Sequence, residues 1–181
     1  MNTDIAVMYA LIAVLALIGT LVGIVLYVWG SLAMMSLFKK AQHPQPWAAW
    51  IPYYRDFVMF EIGGQSGWLM FLSLGATFVT AVMADQVGAR WGFTAIVALL
   101  VSGASLVFWI LAVGNVNRAL SKPLVGFTLL GALLPLVWLS IVAWDKSTFS
   151  AARATGPKVP GRGDTFLERQ QSLASVTTVD A

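Results

Sequence analysis

The chain has 181 residues, 59% hydrophobic and 10% charged, with a formal net charge of +3 and a mean hydropathy of +0.79. So little charge excludes an ordinary soluble domain, and so small and dispersed a positive balance excludes a nucleic-acid footprint. With no cysteine and a single histidine, His43, disulfides, thiol chemistry and metal sites built on clustered Cys or His are excluded too.

A hydrocarbon core about 30 Å thick takes roughly 20 apolar residues per helix. The apolar runs therefore predict an all-α polytopic membrane protein with four transmembrane helices. The first covers 5–29 and continues as helix to Phe38, with Lys39 and Lys40 at the interface. It is too long for a signal-peptide core, and Asp4 stands where basic residues would precede one, so it reads as an uncleaved anchor. Gly19 and Gly23 form a G-x-x-x-G pair, because small residues let helices approach closely in lipid. The expected role is packing within the same bundle, where isoleucine at both would disturb it. A homodimer seam is the sharper alternative.

The segment 44–67 follows, rich in aromatic residues. Trp47, Trp50, Ile51, Tyr54, Phe57 and Val58 share a helical face, with Arg55 and Asp56 away from it, an interfacial amphipathic pattern. Pro52 interrupts it, so two short helical pieces are expected, lying flat in the headgroups or dipping in as a re-entrant loop. Gly63, Gly64 and Gly67 close the segment.

The second span covers 68–84 and the third 91–113, with 85–90 as a short loop. Ser73, Thr77, Thr80 and Ala84 on one, and Ala95, Ala98, Ser102 and Ser105 on the other, are stripes of small residues. They suggest a tight antiparallel pair or, alternatively, a water-lined groove. Lys122-Pro123 makes a turn, and the fourth span covers 124–144 with a kink at Pro135. Residues 145–181 are polar, with no long apolar period, and are expected to be a disordered tail, with a short helix near 166–173. Deleting the tail should leave the fold intact.

Six tryptophans (Trp29, Trp47, Trp50, Trp68, Trp91 and Trp144) fall at the ends of these spans or in the interfacial segment 44–67, where indole rings favour the headgroup zone. Lys39, Lys40 and Arg55, and then Arg118 and Lys122, place the loops that hold them in the cytoplasm of a bacterial plasma membrane. With four spans both termini are then outside, against the basic residues of the tail.

Pro46-Trp47-Ala48-Ala49, Ile51-Pro52-x-Tyr54, Glu61-x-Gly63 and Gly67-Trp68 resemble a motif of small bacterial integral membrane proteins of unknown function. In the second half Asn115 or Asn117, Ala119, Lys122, Gly126-Phe127 and Leu134-Pro135 are similar as well. Some members of that family are known near, or fused to, signal peptidase I. The resemblance covers about 39–144 and implies the membrane fold and no activity. This chain departs from the pattern by two full spans between Trp68 and Ala119, and it has no peptidase part.

None of the expected spans holds Asp, Glu, Lys, Arg or His, although transport paths commonly do. No nucleophile–base pair and no paired carboxylates stand out, and no cofactor is called for. The chain is expected to be a non-enzymatic accessory or scaffold protein, acting through lipids, anionic headgroups among them, or through itself or a larger membrane complex. A small transporter or channel is the alternative. The candidate polar cluster is Arg55, Asp56, Glu61, Asn115, Asn117, Arg118 and Lys122. Within it, Glu61 near a helix C-terminus needs compensation, and a pairing with Arg118 or Lys122 is expected.

Overall fold

The computed structural model of the protein describes residues 3–72, 74–75, 78, 91–157, 166 and 169–172, which are all-helical with no β-strand among them. Helix α1 (Thr3–Lys40) has 38 residues, about 57 Å at 1.5 Å per residue. From Ile5 to Leu26 every described side chain is exposed, and one face becomes buried only from Gly30 onward. Helix α3 (Trp91–Ala119) has 29 residues and is likewise buried mainly near its C-terminal end. These two helices are long and apolar enough to cross a membrane.

Both long helices end in the same way. In α1 the amides of Gln42 and His43 reach back to the carbonyls of Lys39 and Phe38; in α3 those of Ser121 and Lys122 reach back to Arg118 and Asn117. Gln42 and Ser121 each take φ 56°, the left-handed turn that closes a helix of this kind. Pro44 and Pro123 then forbid continuation, and each time the chain folds back along the helix it has just left.

The first return is a 3-10 turn (Pro46–Trp50) followed by helix α2 (Tyr54–Ile62). The turn packs on α1, where Tyr27 Oη donates to the Trp50 carbonyl at 2.6 Å. The expected break near Pro52 lies at 51–53, and Tyr53, at φ 66°, turns the corner. Helix α2 comes back so that Gly63 lies on α3: a Cβ there would stand 2.6 Å from the Ala112 Cα. Close backbone approach is what requires glycine at this point.

The second return corrects the expected fourth span. Residues 124–144 are two ten-residue helices, α4 (Leu124–Leu133) and α5 (Pro135–Trp144), joined at Leu134 with φ −132° and ψ 66°. Pro135 needs no amide partner in the first turn of α5. Lys122 before α4 and Asp145 after α5 form an ion pair. A continuous helix would hold them about 30 Å apart, so the pair folds as a hairpin, each arm about 15 Å long.

Helices α3 and α4 run antiparallel, with Asn117 beside Thr128 and Val113 against Gly131. Helices α1 and α5 run in the same direction, Gly30 meeting Leu136 and Lys40 meeting Asp145. The main core gathers Leu37, Phe38, Val58, Met59, Ile62, Val113, Val116, Trp138 and Val142. It is a hub at one end of the molecule, from which α1 projects. Beside it Phe60, Met70 and Ala112 form a smaller cluster. It receives the start of the expected second span after a 3-10 turn (Gly67–Leu69). Most of that span lies outside the described residues, with Ser73, Thr77, Thr80, Ala84 and the loop 85–90.

The tail is also corrected where it is described. The Ser150 amide donates to the Ala119 carbonyl at 3.0 Å, Ala151–Arg153 form a 3-10 turn, and Ala154 is fully buried. Phe166 lies 5.0 Å from His43 between ring centres, and Gln170 Nε2 donates to the Ala41 carbonyl. Helix ends leave carbonyls without intrahelical partners, and at the ends of α1 and α3 the tail supplies donors for them. Residues 158–165 and 173–181 lie outside the described residues.

Among the described residues nothing stands within 4 Å of a Cβ built at Gly19 or Gly23, so none of the described helices packs on the G-x-x-x-G pair. Gly19→Ile is accordingly expected to change stability by less than about 0.5 kcal/mol, as surface substitutions do. Thermal unfolding in detergent checks this, and gel filtration on the same sample reads any shift of oligomeric state.

Candidate functional site

Asn115 and Asn117 sit one turn from the end of α3, both fully buried. Residues two apart on a helix point to nearly opposite sides, and these two tie α3 to different partners. Asn115 Nδ2 donates to the Gly63 carbonyl at 2.8 Å and to the Pro157 carbonyl at 3.0 Å, while its Oδ1 accepts from Arg118 at 3.2 Å. Asn117 Nδ2 donates to Thr128 Oγ1 at 3.2 Å, and its Oδ1 accepts from Trp138 Nε1 at 2.9 Å. One asparagine thus holds α2 and the tail, the other both arms of the α4–α5 hairpin.

Lys122 belongs to a separate group centred on Asp145, which the sequence reading assigned to the tail. Asp145 takes Lys122 on one oxygen and Lys40, at 2.7 Å, on the other. Lys40 Nζ also donates to the carbonyls of Val142 and Asp145 at 2.7 Å each. Burial alone would raise the Asp145 carboxyl, but bonds from Lys122, Lys40 and Ser147 hold it well below the usual carboxylate range. The carboxylate therefore clamps the end of α1 to both feet of the hairpin.

The expected pairing of Glu61 with Arg118 or Lys122 is not formed. Lys122 is taken by Asp145, and Arg118 turns to Asn115. Burial raises the Glu61 carboxyl, opposed by the positive charge of Arg169 in the returning tail. Sequence offered no route to that neighbour, because the two are far apart in the chain and Arg169 follows a segment with no periodic pattern.

Arg55 and Asp56 stand in the first turn of α2, at the corner of the first return. The Arg55 guanidinium lies 5.3 Å from the Tyr27 ring centre, a cation–π distance. Its Nε is 3.8 Å from Asp56 Oδ1, beyond hydrogen-bond reach, and this buried nitrogen has no hydrogen-bond partner. Burial raises the Asp56 carboxyl, and Arg55 lowers it in part. Two cavities meet here. One, about 460 Å³, is bounded by Tyr27, Arg55, Asp56, Trp109, Pro135 and Leu139. The other, about 450 Å³, is bounded by Tyr53, Asp56, Phe60, Leu74, Ser105 and Trp109. Asp56 and Trp109 line both. The cluster read from sequence thus divides: Asn115, Asn117 and Arg118 form a structural tie at the end of α3, Lys122 joins the clamp at Asp145, Glu61 meets the charge of Arg169, and Arg55 and Asp56 face cavities between the two returns.

His43 is packed between Phe38 and Phe166, at 5.9 and 5.0 Å between ring centres, and its Nδ1 accepts from the Gln45 amide at 3.2 Å. Burial lowers its pKa from 6.5. Below pH 6.5 the unfolded chain takes up a proton that the folded chain resists, so stability falls as pH drops from there toward the folded pKa. A pH series of melting temperatures in detergent is expected to show this slope, and His43→Gln to flatten it.

Among the described residues no three His, Asp or Glu gather in a way that could hold a metal ion. The groups that do converge are hydrogen-bonding amides, a clamped carboxylate and the guanidinium of Arg55 at a cavity. Neither the curated proteins nor the solved structures contain a match to the chain. A family model described as a family of unknown function matches residues 47–151, from the 3-10 turn of the first return through both asparagines and the clamp at Asp145 into the tail. With more than half of its length inside that match, the chain belongs to this family of unknown function, DUF5684.

Proposed function

We propose that the protein is a non-enzymatic integral membrane protein of the bacterial cytoplasmic membrane, an accessory or scaffold subunit that acts through lipids and other membrane proteins. The observation that carries this is the first part of α1, apolar and exposed around its whole circumference from Ile5 to Leu26. An apolar surface of that size needs a cover, and a bilayer supplies one. The exposed tryptophans support a depth for the hub: Trp29, Trp47, Trp50, Trp68 and Trp144 all lie on it, which suits the headgroup zone.

In this reading the chain crosses the bilayer three times, by α1, by the apolar run 68–84 that the sequence marks as a span and by α3. The α4–α5 hairpin enters and leaves on the hub side. Lys39, Lys40, Arg55, Arg118, Lys122, Lys146 and Arg153 then share one face, the cytoplasmic one by the charge rule. The tail departs from the same face, which removes the charge conflict of a four-span arrangement. The N-terminus is outside and the C-terminus inside.

Two measurements test the proposal. Resistance to alkaline carbonate extraction is expected, and release into the supernatant would overturn the membrane reading. A fluorescent protein fused after Ala181 is expected to glow in the cytoplasm, whereas phosphatase activity from the same position would overturn the three-span topology.

A small transporter or channel is the second reading, favoured by the two cavities that meet at Asp56 and Trp109. Solute flux into proteoliposomes above that of empty vesicles, lost in Asp56→Ala, would support it over the accessory role.

A further inference from the structure

We propose that the cavity between α1, the turn at Arg55 and the α5 end of the hairpin is a binding site for one anionic phospholipid, its phosphodiester on the Arg55 guanidinium and an acyl chain along α1. This rests on the membrane reading above and adds the site and the chemistry of its ligand.

Three observations lead to it. First, the cavity is walled by apolar groups, Leu26, Met34, Leu136 and Leu139 among them, and of the described residues that line it Arg55 is the cation, beside Asp56. A guanidinium presents a planar fork of donors that suits phosphate oxygens. Second, the Arg55 Nε is buried and donates to nothing. A buried donor without an acceptor is costly, and Tyr27 meets the guanidinium with its ring face at 5.3 Å while its hydroxyl donates to the Trp50 carbonyl. Asp56 leans toward the guanidinium without bonding it, and burial raises its carboxyl, which lessens its competition with an incoming anion. Third, Gly23 and Gly30 lie seven residues apart, on one face of α1, and both line the cavity. Among the described residues nothing stands within 4 Å of a Cβ at Gly23, and one at Gly30 would lie 3.4 Å from Leu136. The two glycines leave a slot that runs from Arg55 along the exposed apolar helix, the direction an acyl chain takes from a headgroup.

Phosphate chemistry is common to a lipid and to a free phosphomonoester, and the slot favours the lipid. Binding is measured with the purified full chain in uncharged detergent micelles, using fluorescent phosphatidylglycerol and competing it with unlabelled lipids. Phosphatidylglycerol is expected to compete at least about tenfold better than phosphatidylcholine. Arg55→Gln is expected to weaken binding about tenfold or more, the scale of one charge-assisted hydrogen bond. Arg55→Lys keeps the charge and should retain part of the affinity. Gly23→Leu, which fills the slot and leaves Arg55 in place, should weaken binding as well, whereas Lys146→Gln, at an exposed position, should change it less than about twofold.

Equal competition by the two lipids would overturn the site. Equal losses in Arg55→Gln and Lys146→Gln would do so too, by showing general surface attraction. Displacement by glycerol phosphate at the concentrations that suffice for the lipid, with Gly23→Leu unaffected, would assign the site to a free anion and overturn the lipid. Carbonate extraction of the same variants keeps the two readings apart: a chain that stays in the membrane without lipid selectivity refutes the site alone.

Discussion

Asp145→Asn is expected to destabilise the hub by about 2–4 kcal/mol, somewhat below the ~3–5 kcal/mol lost on breaking a fully buried ion pair by removing one partner. Asp145, Lys40 and Lys122 are each about one-fifth exposed, so solvent screens part of the loss. The carboxylate is the one anion bound to both lysines in the described structure, and without it two ammonium groups face each other at the feet of the hairpin. Thermal unfolding in detergent at neutral pH measures the effect. Lys122→Gln on the Asp145→Asn background should add much less than it does alone, because both remove the same interaction. Fully additive losses would show that the clamp does not hold the hairpin. The pH dependence has a definite sign. The folded pKa is depressed, so the contribution is present above the ordinary carboxylate value of about 3.9 and is lost as pH falls through the folded value.

Truncation after Trp144 removes Asp145 together with the returning tail. Where a disordered tail would make that deletion harmless, the described contacts at Ala119, Ala41, His43 and Gln65 make it at least as damaging as Asp145→Asn.

Asn115→Leu is expected to cost about 2–4 kcal/mol. The replacement is close in volume, so the loss comes from polar groups and not from a cavity. The Gly63 carbonyl and one Arg118 nitrogen lose a partner, while the Pro157 carbonyl keeps Gln65, which reaches it at 2.8 Å. Each buried group left without a partner costs about 1–3 kcal/mol. Asn117→Leu frees Thr128 and Trp138 Nε1 in the same way. The two losses should nearly add, since the residues face opposite sides of α3 and share no partner. Urea or thermal unfolding of the two single variants and the double variant in detergent tests this, and strong coupling between them would contradict the separate ties.

The sequence alone determined what depends on local order: the helical class, the long apolar helices, the break near Pro52 and the polar residues at the end of α3. Periodicity, length and proline act within a turn or two of chain, so they can be read one segment at a time. The single residues Asn115 and Asn117 stood out for the same reason, as polar groups ending an otherwise apolar run. The tertiary structure alone decided where the chain reverses and which charges meet. Residues 124–144 with Pro135 near the middle suit a kinked span and a hairpin equally in composition; what separates them is Asp145 returning to Lys122 and Lys40, an interaction between residues that lie 23 and 105 positions apart. Nothing local specifies such a pairing. It forms because the burial of Trp138 and Val142 against Phe38 and Val116 is satisfied by folding back, and the lysines at the feet then meet the Asp145 carboxylate. The same holds for Arg55, whose place at a cavity follows from the turn at Tyr53 and from the hairpin that closes the other wall.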